Sequence, residues 1–316
     1  MERRKIQLIA GTTYSVSLPK KWIKKNKLKE QDELIISEKN DKTLSILSAS
    51  EEIGEISEIT LNIDDYMENI DQILFAVYYL GIETINIVSK NALKKEDKKK
   101  IRKTLTHMSG TEISYEDKQK MTIKVLLDIS KTDIKQILYR LYLIIESSIM
   151  SMIEKIDIKE IKMNENEIDR LYHLLTKIIS VSLINSDILH SSKIKNVSLI
   201  PSYFLIAKRL ENIGDDINHL SDYIYGKKRS LANNKKILNF IKNEINKAID
   251  CLLMERPKKF IKASKEKILE MKKIITEMEN KIISKYFEDM IRYVTDIQEE
   301  VVNISFYKKL ISENKL

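Results

Sequence analysis

Residues 209–224, RLENIGDDINHLSDYI, place Glu211 and Asp215 four apart and His219 four further on, with Gly214 between them. At 3.6 residues per turn these side chains share one helical face. Glycine inside a helix costs about 1 kcal/mol relative to alanine, so its presence suggests a close approach of backbone or ligand. Residues 165–173, ENEIDRLYH, repeat the pattern with Glu165, Asp169 and His173, so both stripes read Glu-x-x-x-Asp-x-x-x-His. If the two helices face each other, four carboxylates and two imidazoles converge. Such a group cannot stay fully ionised without a compensating cation, and its hard oxygen ligands suit Mg, Ca, Mn or iron. An acidic, solvent-facing helix pair with accidental spacing fits the same residues.

Around these stripes, residues 132–313 carry apolar side chains at steps of three and four, as in Ile134, Ile137, Leu138, Leu141, Ile144 and Ile145, with no convincing strand. The pattern predicts helix bundles. Breaks near 157, 191–197, 226–231, 255–257 and about 284 predict six helices, with Pro201 and Pro257 near helix starts. Two three-helix units, roughly 132–226 and 232–313, suggest an internal duplication. The composition agrees: in 316 residues there are only six glycines and three prolines, with 43% hydrophobic and 32% charged residues. No run reaches the ~18 uncharged apolar residues of a membrane span, and MERRK is followed by no apolar leader, so a cytoplasmic protein is expected. The single cysteine, Cys251, excludes a disulfide framework and a thiolate metal cluster.

The N-terminal segment differs. Residues 1–30 hold nine bases and two acids, so seven of the eight net positive charges lie there. That concentration suits a polyanion-binding surface, and a solvated lysine-rich face suits it equally. KIQLIAGTTYSVSLP alternates Ile6, Leu8, then Tyr14, Val16 and Leu18 around Gly11-Thr12-Thr13, which predicts two short strands. Pro19 closes the second, KKWIKKNKL forms a short helix with Trp22, Ile23 and Leu28 inward, and ELIISE and KTLSILS give two more strands joined by KNDK. A unit this small is not comfortable alone. Between about 57 and 127, ITLNI, DDYMENIDQILFAVYYL, INIVS, LKKEDKKKIRKTL, TEISYE and MTIKVLL predict a small α/β unit punctuated by Gly81 and Gly110. The lysine-rich run there reads as a solvated helix face, since acids interleave it.

The core of the first stripe, Glu211-Asn212-Ile213-Gly214-Asp215-Asp216-Ile217-Asn218-His219-Leu220-Ser221, resembles the signature of the PhoU family of phosphate-uptake regulators, with Asn212 in place of the usual Arg and His219 where Asn is common. Glu165, Ile168, Asp169, Arg170 and Leu171 are similar to that family's second-helix pattern. The resemblance covers roughly 132–313. It implies a multinuclear metal cluster (iron, or Mg, Mn or Zn) on the bundle surface, with Glu165, Asp169, Glu211 and Asp215 as ligands. In the second half, Thr295 to Ser305 is more worn: Thr295 stands at the first acidic position, Gln298 at the glycine and Glu299 at the Asp.

Residues 3–47, with Gly11-Thr12-Thr13 and Ser17-Leu18-Pro19-Lys20, resemble the AbrB/SpoVT/MazE swapped-hairpin domain, in which two chains interleave into one barrel. That likeness implies a homodimer and selects Arg3, Arg4, Lys5, Lys20, Lys21 and Lys24 as DNA contacts. An AbrB-like head on a PhoU-like body is an arrangement similar to that of archaeal phosphate-uptake regulators. The expected architecture is therefore multidomain α+β: a swapped-hairpin β-barrel over 1–50, a small α/β unit over 51–130 and a PhoU-like pair of three-helix bundles over 131–316.

The expected role is regulation of phosphate uptake and phosphate-responsive transcription, through DNA and with a phosphate transporter or signalling protein as a further partner. The alternative is a protein-binding adaptor whose basic head serves only dimerisation. A carboxylate-bridged di-iron or di-manganese enzyme is a third reading. It needs a buried site with an open position, and no nucleophile–base pairing, Gly-rich phosphate loop or HExxH motif accompanies it, so no enzyme is expected.

Overall fold

The structure is a computed structural model that describes residues 3–38, 44–48, 57–66, 68–154, 156–227, 234–254 and 265–313. The expected KNDK turn at 39–42 and Pro257 lie outside the described residues. The chain divides into two compact units, Met1–Ile56 and Ser57–Leu316.

In the first unit, β1 (Gln7–Ile9) pairs antiparallel with β2 (Thr13–Ser15), Leu8 opposite Tyr14. Ala10 and Gly11 take positive φ (50° and 74°), the left-handed backbone a tight reversal needs. The second strand stops at Ser15, so Val16 and Leu18 fall beyond the ladder the alternation predicts, because β1 offers only three residues to pair with. Pro19 is the N-cap of α1 (Lys20–Lys25), and β3 (Leu34–Glu38) pairs with β4 (Leu44–Ser48) in a separate two-stranded sheet. One chain thus supplies two hairpins and a one-and-a-half-turn helix.

The second unit opens with a four-stranded sheet in the order β5 (Glu58–Asn62), β6 (Thr84–Val88), β8 (Lys120–Val125), β7 (Thr111–Glu116). β5 and β6 run parallel around α2 (Ile70–Tyr79), while β6, β8 and β7 are antiparallel neighbours. The helix predicted from Asp64 onward is shorter than its apolar pattern suggests: Ile63–Asp65 is a 3-10 turn and α2 begins only at Ile70. Gly81 and Gly110 have φ of 85° and 73° just past α2 and α3 (Lys95–Leu105), as their spacing implies. The lysines of α3 meet acids, Lys98 and Arg102 on Glu116 and Lys100 on Asp71, which supports the solvated-face reading.

The helical part comprises α4 (Ile134–Glu154), α5 (Ile158–Ser182), α6 (Ser186–Ser191), α7 (Ile200–Gly226), α8 (Lys235–Leu253), α9 (Lys265–Thr276) and α10 (Lys281–Ser312). The short α6 is an addition to the six predicted helices. It forms because Asn185 accepts from the N–H groups of Asp187 and Ile188 and so starts a new turn inside the expected break. The last break falls at 277–280 rather than about 284, where the Asn280 side chain caps α10. Asp157 caps α5 in the same way, and Pro201 sits in the first turn of α7, where it removes no helical hydrogen bond.

One continuous buried cluster runs through both halves of the bundle, from Ile134 to Ile304. The last carbonyls of a helix have no internal partner. At the end of α8 the ammonium of Lys308, from α10, donates to the carbonyls of Leu252 and Met254 at 2.7 and 3.2 Å, which ties the two helices at their ends. The α/β part has its own core around Leu74, Tyr78, Ile85, Ile87, Ile101 and Ile123.

Candidate metal centre

The two predicted stripes do face each other. A Cβ added at Gly214 of α7 would lie 2.8 and 3.2 Å from Cδ1 and Cγ2 of Ile168 on α5, so the glycine is what lets the helices approach. The approach brings one carboxylate oxygen each from Glu165, Asp169 and Asp215 within 4.8 Å of one another, all three side chains being half-buried. Glu211, the fourth predicted ligand, lies deeper, and both its oxygens accept from Lys208 Nζ at 2.7 Å. Lys208 in turn lies over the Tyr172 ring, 5.0 Å from its centroid.

Burial and crowding act on these acids as expected for like charges in a poorly solvated place. Burial, then the carboxylates of Glu165, Asp215 and Glu211, pushes the Asp169 carboxyl up to about 7. Glu165, Glu211 and Asp215 are also held above the ordinary carboxylate range, with burial the main cause in each. Among the described residues, the cation bonded directly to a carboxylate of the group is Lys208, through Glu211. The protein leaves the rest of the negative charge to protons or to a cation.

The two histidines of the stripes separate. His219 is exposed on the α7 surface, on the side of Glu165 and Asp215. His173 turns away from the carboxylates toward α2: its ring stacks on Phe75 with centroids 3.8 Å apart, and its Nδ1 shares a short hydrogen bond with the Tyr79 hydroxyl. Burial holds its pKa down near 4, so it is neutral there. Predicted as a possible member of the acidic group, His173 instead packs the α/β part onto the bundle. Lys177, whose ammonium lies 4.5 Å from the Tyr78 ring centroid, and Arg170, which donates to Ser109 Oγ at 3.0 Å, extend that junction.

A histidine that no spacing signalled approaches Asp169. His107 stands in the turn between α3 and β7, and its Nδ1 is 3.8 Å from Asp169 Oδ2. That Nδ1 is buried without a hydrogen-bond partner. Through this turn the α/β part comes to within 3.8 Å of Asp169. The three carboxylates that do converge, Glu165, Asp169 and Asp215, offer the hard oxygen ligands that a divalent cation takes.

The corresponding place in the second half is built differently. Gln298, at the glycine position, is fully buried and donates to Glu244 at 2.9 Å, while Glu244 also takes Lys247 at 2.6 Å. A neutral amide and an ammonium occupy that position, and among the described residues no second set of three ligands assembles there. On the other side of α7, Asp216 faces Asp289 of α10, and burial followed by the Asp289 and Asp215 charges pushes its carboxyl up to about 7.

In the first unit, Arg3, Arg4 and Lys5 precede β1, and Lys20, Lys21 and Lys24 lie on α1, all six exposed. Among the described residues no helix is long and apolar enough to cross a membrane. No curated protein and no solved structure matches the chain. Two family models do: residues 7–50 match the one described as antidote-toxin recognition MazE, bacterial antitoxin, and residues 143–224 match the PhoU domain, which includes both acidic stripes. The chain thus carries an N-terminal segment similar to MazE/AbrB-like domains and a helical segment similar to the PhoU domain.

Proposed function

We propose that this protein is a dimeric, cytoplasmic regulator of phosphate uptake that binds DNA through its first unit and relays phosphate status through the metal-loaded helical part. The observation that carries the reading is the union, in one chain, of a MazE-like segment, at whose N-terminal end (residues 1–30) nine bases meet two acids, with a segment similar to the PhoU domain. Dimerisation is supported by the first unit's apolar surface. Ile6, Leu8, Ile9, Tyr14 and Ile36 are each more than half exposed, and Ser48 is the sole buried residue among those described there. Water would disfavour that surface, and a second copy interleaving its hairpins would cover it. Glu165, Asp169 and Asp215 would hold the ion, with Glu211 beside them on Lys208. Bound there, the metal supplies positive charge and ligand order, and no catalytic step is assigned to it.

A gel-shift titration across salt, with fragments of phosphate-transport promoters, tests the reading. Tight binding by the wild type, weakened in Arg3→Ala and Lys20→Ala, is the expected result. Absence of binding even in low salt sinks it. A second reading follows from the words of the N-terminal family description, which name recognition of a protein: the first unit would then dimerise and the chain would act as an adaptor on a transporter or signalling protein. Genome-wide occupancy in high and low phosphate separates the two, since an adaptor leaves no phosphate-dependent footprint on DNA.

A further inference from the structure

Lys208 and Glu211 stand about one turn apart on α7, yet they are not an ordinary surface pair. Between an exposed lysine and an exposed acid little is gained, because water serves both charges almost as well. Glu211 is only 9% exposed, and both its oxygens accept from Lys208 Nζ at 2.7 Å. The ammonium is held by more than its partner, since it lies over the Tyr172 ring of α5, 5.0 Å from the centroid. Its charge also reaches Asp169 and Asp215, whose ionised forms it favours. A cation is thus already seated at one end of the acidic group. The carboxylates whose oxygens come within 4.8 Å of one another are Glu165, Asp169 and Asp215, without Glu211. The second half repeats the device. Glu244, 2% exposed, takes Lys247, three residues further along α8, at 2.6 Å, together with the Gln298 amide. An ammonium there answers the buried acid, and among the described residues no set of three ligands assembles around it.

Resting on the metal reading above, we propose that Lys208 is the fixed counter-ion of Glu211 and thereby limits the site to one divalent ion, held by Glu165, Asp169 and Asp215. A second ion needs carboxylate oxygens of its own, and Glu211 is the acid of the two stripes that remains to supply them. Its oxygens are engaged, and the ammonium repels a further cation at that end. The charges agree. One divalent ion with the ammonium brings three positive charges to four carboxylates, whereas two ions with it would bring five. The site is therefore mononuclear where the family resemblance implies a multinuclear cluster, and Lys208 is the residue that sets the difference. The rival is a lysine that only steadies α7, in which case the number of bound ions does not depend on it.

The test uses the full chain and Mn2+, with bound ions counted by equilibrium dialysis and their coupling read by electron paramagnetic resonance. Two ions sharing a carboxylate give an exchange-coupled spectrum that an isolated ion does not. The ions that belong to the site are those lost in Asp169→Asn. The wild type and Lys208→Arg, which keeps the charge, are expected to bind one ion per chain with an isolated-ion spectrum. Lys208→Met keeps an apolar stem beside Tyr172, frees Glu211, and is expected to double the count and show coupling. Lys208→Met with Glu211→Gln is expected to return the count to one, because the freed carboxylate is then gone. Lys208→Ala stands in should methionine harm folding, with the same expectation. A second site ion in the wild type, or a single ion in the folded neutral variants, overturns the role of Lys208 while sparing the carboxylate site. A wild type that binds no Mn2+ overturns the metal reading and this inference together.

Discussion

Gly214 of α7 rests directly on Ile168 of α5, with the position a Cβ would occupy only 2.8 Å from the isoleucine Cδ1. This contact sets the separation of the two helices, and through it the distance from Asp215 to Glu165 and Asp169. Valine at 214 is expected to force the helices apart, costing about 2–3 kcal/mol by overpacking. Its Mn2+ affinity should fall further than that of a solvent-face control on α7 destabilised to the same degree. Denaturant melts and metal titration on the same samples check it, and an unaltered affinity would show that the glycine does not set the site.

Metal binding should depend on pH through Asp169, whose carboxyl is pushed up to about 7 by burial and its acidic neighbours. A ligand must be deprotonated to bind, so the ion displaces a proton below that value. Affinity is expected to be level above pH 7.5 and to drop on the order of tenfold per unit below it, as one proton is displaced. Calorimetry in buffers of different ionisation enthalpy would count the proton, and a pH-independent affinity from 6 to 8 would contradict the assignment.

Asp216 gives a stability test separate from the metal. Its Oδ2 is buried without a hydrogen-bond partner, and its pKa is raised to about 7 by burial and by Asp289. A carboxyl raised in the folded state makes that state bind the extra proton between about pH 4 and 7, so its contribution is lost as pH rises through 7. Asp216→Asn is therefore expected to match the wild type near pH 4 and to exceed it by roughly 1–2 kcal/mol at pH 8. Thermal melts of the two proteins at both values decide it.

His173 works in the opposite sense. Its folded pKa is depressed to about 4, so its contribution is full above about 6.5 and is lost as pH falls toward 4. His173→Gln is expected to lower stability at pH 7.5 through loss of the Phe75 stack, and to narrow the gap to wild type by pH 4.5. A gap that stays constant over this range would mean that the imidazole is not kept neutral at the junction.

On DNA, removal of each phosphate-contacting base is expected to reduce the slope of log K against log salt by about 0.9, with little sequence dependence. Lys20→Ala and Lys24→Ala are the cleanest choices, because α1 holds both on its exposed surface. A slope unaffected by either would place the DNA contacts elsewhere.

Much of this protein is legible in one dimension. The Glu-x-x-x-Asp stripes, the glycine between them and the basic first segment are local patterns, and a helix of fixed pitch converts such spacing into a shared face whatever surrounds it. Helix caps at Asp157 and Asn280 are equally local, since the side chain and the N–H groups it serves are two or three residues apart. The sequence alone therefore determined the helical body, the acidic face and where the positive charge collects. Only the folded chain decided which histidine approaches Asp169. His173 has the right spacing but is drawn to Phe75 and Tyr79, while His107, some sixty residues away, arrives through a turn anchored by Met108 and Ser109. Such meetings depend on how one packed layer lies on another, and no period in the chain encodes that.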